Sequence, residues 1–122
     1  MATTSLGGLP ANPAIPLTPE VRAAYQDLYN KIQAQIDSAM DLTALEALNV
    51  SQPEVEDVLT KDDLYRLNTD TAVFNALLKQ INETNDGLRV LRAQIVSTAS
   101  HFAMAADILA AIDKALALVP GV

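Results

Sequence analysis

The side chains in this chain that could carry chemistry are few, and the first to weigh is its single histidine, His101. A helical metal pair needs a second histidine, or a carboxylate three residues earlier, and position 98 is a threonine. With no cysteine anywhere, thiolate nucleophiles, disulfides and zinc fingers are excluded together. A Ser-His relay would have to run through His101, and neither Ser97, Thr98 nor Ser100 lies in a nucleophile elbow. His101 therefore reads as a residue at the edge of a helix bundle.

Glycine stands only at positions 7, 8, 87 and 121, so neither a phosphate-cradling loop nor a dinucleotide fingerprint can be built. Asn82, Thr84, Asp86 and Gly87 resemble the opening of a calcium loop, but its twelfth position is Ala93, where a bidentate Glu is required. Carboxylates are densest at Glu54, Glu56, Asp57, Asp62 and Asp63, relieved only by Lys61 and Arg66. Such a cluster could meet a hard cation or a basic partner, yet acidic residues are also ordinary in the first turns of helices. No catalytic, cofactor-binding or metal-binding residue is assigned, and the chain is read as a non-enzyme.

The elements that would position any site are helices. Half of the 122 residues are apolar and only 4% aromatic, so the hydrophobic content is Leu, Ala, Ile and Val, which suits close-packed helices. The length is that of one domain. Fifteen acidic against eight basic residues give a net charge of −7, which would repel a phosphate backbone, so no nucleic-acid partner is expected. Met1 to Leu9 has no basic segment and no continuous apolar stretch, so it does not read as a Sec-type signal peptide. The default expectation is a cytoplasmic protein, with export by another route left open.

Residues 1–17, with Gly7, Gly8, Pro10, Pro13 and Pro16 and no charged side chain, read as a flexible tail ahead of a single helical domain at 18–122. A docking peptide or export signal is the competing reading of that tail. Thr18 as cap, Pro19 at the first helical position and Glu20 at the positive end of the dipole mark the first helix. Val21, Tyr25, Leu28, Ile32, Ile36 and Ala39 or Met40 then recur at helical steps, predicting a helix to about Met40. From Asp41 to Asn68 the periodicity weakens and cap-like residues multiply: Asp41, Thr43, Ser51 ahead of Pro53, and Thr60 with Asp63. Short helices joined by turns are expected there.

The second half carries an unbroken seven-residue apolar repeat: Phe74, Ile81, Leu88, Ile95, Phe102, Leu109 and Leu116. Three residues beyond each stand Leu77, Thr84, Leu91, Thr98, Ala105, Ile112 and Val119, the alternation of a coiled-coil seam. Asn82 to Gly87 is poor helix material and could close a helix after Asn85, but Leu88 resumes the repeat in phase, which favours continuity. The expectation is one long helix over about 70–118, ~70 Å in length, too long for a compact monomer of this size.

The fold class predicted is therefore all-α: a helical hairpin or bundle with that long C-terminal helix, short helices in the middle, and an oligomeric assembly. The expected helix-helix interface comprises Phe74, Leu77, Ile81, Leu88, Leu91, Ile95, Phe102, Leu109, Ile112 and Leu116. Beyond Phe102 the apolar positions spread round the helix, so the C-terminal third is expected to make the most extensive contacts. Asp107, Asp113 and Lys114 would each cost about 2.5–3.5 kcal/mol at a bilayer centre, which argues against a transmembrane span. Two functions are open: self-assembly through the seam, or a chaperone, immunity or adaptor module that binds another protein by the C-terminal helix or the acidic middle.

Overall fold

Thr18 opens the first helix as its capping chemistry requires. In the computed structural model, which describes residues 16–38, 42–99, 102 and 104–118, its hydroxyl accepts the Val21 N–H at 3.2 Å and Pro19 follows at the first turn. Helix α1 spans Pro19–Asp37. It ends where the Ser38 N–H and hydroxyl both return to the Gln35 carbonyl, at 3.2 and 2.7 Å. Val21, Tyr25, Leu28 and Ile32 are buried and Ile36 half-buried, the stripe the sequence predicts; Ala39, Met40 and Asp41 lie outside the described residues.

The middle of the chain corrects the sequence reading. Instead of short helices and turns, α2 is one helix, Leu42–Leu67, with Thr43, Ser51, Thr60 and Asp63 inside it and Pro53 on its exposed side. Proline lacks the N–H that would serve the carbonyl four residues back, but on an exposed face water can take that role. Ala44, Leu48, Ser51, Val55, Val58, Leu59 and Asp62 form its buried stripe, an unbroken helical progression in which two members are polar. Packing holds this helix together where propensity alone does not.

Helix α3 spans Thr71–Ser97, its first turn capped by Asp70, whose carboxylate accepts the Ala72 N–H at 2.7 Å. It runs without interruption through Asn82 to Gly87. Two of the residues that weaken this stretch as helix material are buried and used: the Thr84 hydroxyl donates to the Glu54 carbonyl at 3.1 Å, and Asn85 accepts the Tyr25 hydroxyl at 2.8 Å.

The single helix expected over 70–118 is not present. The chain leaves α3 at Ser97, and α4 begins afresh at Ala105 and runs to Leu118. At the exit the Gln94 carbonyl receives the Thr98 N–H at 3.0 Å and hydroxyl at 2.6 Å and the Ser97 hydroxyl at 3.2 Å. Side chains that bond to the last turn in this way compete with continuation of the helix. Gln35 of α1 then accepts the N–H of Met104 at 2.6 Å, fixing the point where α4 starts. The buried stripe of α4 is Ile108, Ala111, Ile112 and Ala115, one step out of phase with Leu109 and Leu116, because after a turn the heptad no longer governs which face looks inward.

Neighbouring helices run antiparallel: Arg22 faces Asp62 and Gln33 faces Gln52 across α1 and α2, while Lys61 meets Gln80 across α2 and α3. Helix α2 packs on α1 and α3, and α4 packs on α1 and, over a smaller area, on α3. The result is a compact four-helix bundle, not an elongated element. Its most extensive contact is between α2 and α3, so the expectation that the C-terminal third dominates the packing is also corrected.

Candidate functional site

The residues expected at a helix-helix interface are inside this bundle. Leu77, Ile81, Leu88, Leu91, Ile95, Phe102 and Ile112 are buried, Leu109 and Leu116 are half-buried against the chain's own core, and Phe74 is half-buried. Phe74 meets Tyr65 of α2 edge to face, with ring centroids 5.9 Å apart. Of the weaker seam positions, Thr84 is buried, Thr98 and Ala105 are half-buried, and Val119 lies outside the described residues, as do Ser100 and His101. Self-association through this seam would require the bundle to open.

The acidic middle divides into two environments. Asp62 is fully buried and satisfied: Oδ1 accepts the Leu17 N–H at 2.7 Å, and Oδ2 accepts Arg22 and the Arg66 Nε, the latter at 2.9 Å. Arg66 also donates to the Leu17 carbonyl, and Arg22 spans to Asp63 at 3.0 Å. This cluster is structural, clamping the entry to α1 onto the end of α2. A second interior bond joins Tyr25 to Asn85; burial pushes the Tyr25 hydroxyl up to about 12, against smaller lowering effects from Asn85 and Arg89.

Glu54, about two turns upstream of Asp62 on α2, is in the opposite situation. Among the described residues its carboxylate has neither a hydrogen bond nor an ion pair. Its pKa is raised, first by burial and then by the nearby charges of Glu83 and Asp57. The carboxylate lies over Gly87 of α3, so close that a Cβ there would stand 2.6 Å from Oε1.

Glu54 closes one end of a groove between α2 and α3. Ala47, Val50 and Ser51 on one side and Gly87, Val90 and Gln94 on the other line a cavity of about 220 Å³. A second cavity of about 230 Å³, sharing Ala47 and Gln94, continues it past Thr43, Ser97 and Thr98 to Phe102. Val50 and Val90 are 67% and 60% exposed, large apolar side chains left in solvent beside small ones. Sequence reading missed this feature because Val50 and Val90 belong to neither apolar stripe. Their signal is an outward stripe on each helix, at 43, 47, 50, 54 and at 87, 90, 94, 97, and it gains meaning only once the helices are paired.

Among the described residues there is no group of three or more His, Asp or Glu placed to hold a metal ion, and no helix long and apolar enough to cross a membrane. Comparison with protein families, curated proteins and solved structures gives no match.

Proposed function

We propose that this protein is a non-enzymatic helical binding module of the adaptor, chaperone or immunity kind, and that it receives another polypeptide in the groove between α2 and α3. The observation that carries the reading is the juxtaposition, in one groove, of two exposed valines with a carboxylate that has no partner among the described residues. Exposed large apolar side chains gathered in a concavity lose unfavourable hydration when covered. A groove between two helices is also a recurrent seat for a third segment.

The test is site-specific photocrosslinking in cells, with the crosslinker at position 50 or 90 and, as control, at Ala34 on the exposed side of α1. The expected result is one polypeptide captured from 50 and 90 but not from 34, which then forms a one-to-one complex when both purified proteins are mixed. Capture from all three positions alike, or failure of the purified pair to associate, overturns the reading.

A further inference from the structure

The groove has an acidic end and a neutral end, and this polarity identifies the chemistry of its occupant. We propose that it takes a basic amphipathic helix from a different protein, with apolar residues on Val50 and Val90 and a Lys or Arg one turn further on, against Glu54 above Gly87. The inference rests on the binding reading above.

The case for a helix is dimensional. From Thr43 to Glu54 on α2 the groove wall is ~17 Å long, about three turns, the span of a short helix. Its floor is made of Ala47, Ser51 and Gly87, small residues that let a third backbone come close.

The case for a cation is electrostatic. The charges of Glu83 and Asp57 bear on Glu54 at this end, and among the described residues none of the three carboxylates has an ion pair. The next cation along α2 is Lys61, two turns away, and its amine is donated to Gln80 at 3.3 Å. A partly buried carboxylate without a partner among the described residues bears a desolvation cost that an incoming guanidinium or ammonium would offset. The apolar body of the groove beside it suits the aliphatic stem of Lys or Arg.

Two nearer occupants do not fit. The chain's own segment from Met1 to Leu17 has no charged side chain to offer Glu54. A second copy carries a net charge of −7, and five of its eight basic residues, Arg22, Lys31, Arg66, Arg89 and Arg92, are engaged by its own carboxylates. Like charge at this edge would oppose such a dimer.

The experiment is a fluorescence-anisotropy titration of the full chain with a designed 14-residue helical peptide bearing Leu at i and i+4 and Lys at i+7 and i+8. Parallel titrations use the peptide with Lys replaced by Glu, and the Glu54→Gln, Val90→Asp and 16–122 forms of the protein, each checked by circular dichroism for an unchanged fold. Glu54→Gln is expected to weaken the Lys peptide about five- to tenfold, with the Glu peptide at least tenfold weaker on the wild type. Val90→Asp is expected to abolish binding of the Lys peptide.

Equal affinity for both peptides, lost together in Val90→Asp, would keep the groove and sink the requirement for a cation. Binding of the Lys peptide that ignores Val90→Asp would place it elsewhere and sink both readings, as would no binding at all. Tighter binding to the 16–122 form would show the tail as occupant, and a concentration-dependent dimer blocked by Val90→Asp would show a second copy; either result overturns the proposal.

Discussion

Asp62 receives the backbone N–H of Leu17 at 2.7 Å across 45 residues of sequence, both residues being buried. With Arg22 and Arg66 on its other oxygen, this carboxylate ties the start of α1 to the end of α2. Removing its charge leaves two arginines facing a neutral group, although both are partly exposed and can turn to water. Asp62→Asn is therefore expected to cost about 2–3 kcal/mol, below the upper range for a broken buried pair. Urea unfolding measures it, and faster exchange of the Leu17 amide would localise the effect. An unchanged midpoint would contradict the clamp.

The raised Tyr25 ionisation predicts alkaline sensitivity. A group whose folded pKa lies above its unfolded value contributes stability that is complete below pH 10 and is lost as pH rises through about 12. Of the three tyrosines, one should ionise only as the protein unfolds, a shift seen in ultraviolet absorbance titration. Tyr25→Phe removes the bond to Asn85 at a cost of about 1 kcal/mol near neutrality, and should abolish that coupled step.

Gly87 lies inside α3, where glycine is about 1 kcal/mol worse than alanine. The nearest atoms an added methyl would meet are those of the Glu54 carboxyl, the free end of a flexible side chain that can swing aside. Gly87→Ala should accordingly stabilise the fold by about 0.5–1 kcal/mol in thermal or urea unfolding. Because it also fills the groove floor, the same substitution should weaken the Lys peptide, separating stability from binding in one variant.

Glu54 should act in the same direction through charge. Its folded pKa is raised, so any stability it contributes is present in acid and lost as pH climbs through the folded value; at neutral pH its ionised form works against the fold. Glu54→Gln is expected to raise the melting temperature at pH 7 and to leave it unchanged at low pH. A lower melting temperature at pH 7 would mean that the carboxylate has a stabilising partner.

Leu88 separates packing within the chain from assembly between chains. It is fully buried in the bundle, so Leu88→Asp should cause loss of helical circular dichroism, and Leu88→Ala a destabilisation of about 2–5 kcal/mol. A Leu88→Asp protein that stays helical and merely dissociates in sedimentation would instead return the seam to an intermolecular role.

The sequence by itself determined that the chain is helical, where α1 and α3 begin, and which of their faces look inward, because caps and apolar stripes are local signals. Thr18-Pro19-Glu20 and the in-phase return of Leu88 after Gly87 are examples. Helix α2 was not legible: Leu42, Val50, Leu64 and Leu67 point outward while Ser51 and Asp62 point inward, so its apolar periodicity cancels. The break before α4 was hidden because Phe102 and Leu109 keep the heptad spacing, while the side chain that receives the N–H of Met104, just ahead of the new helix, is Gln35, 69 residues away. The groove belongs wholly to tertiary structure. Val50, Glu54, Gly87 and Val90 become neighbours only through the antiparallel register of α2 and α3, and register is set by the buried faces, not by the residues that line the groove.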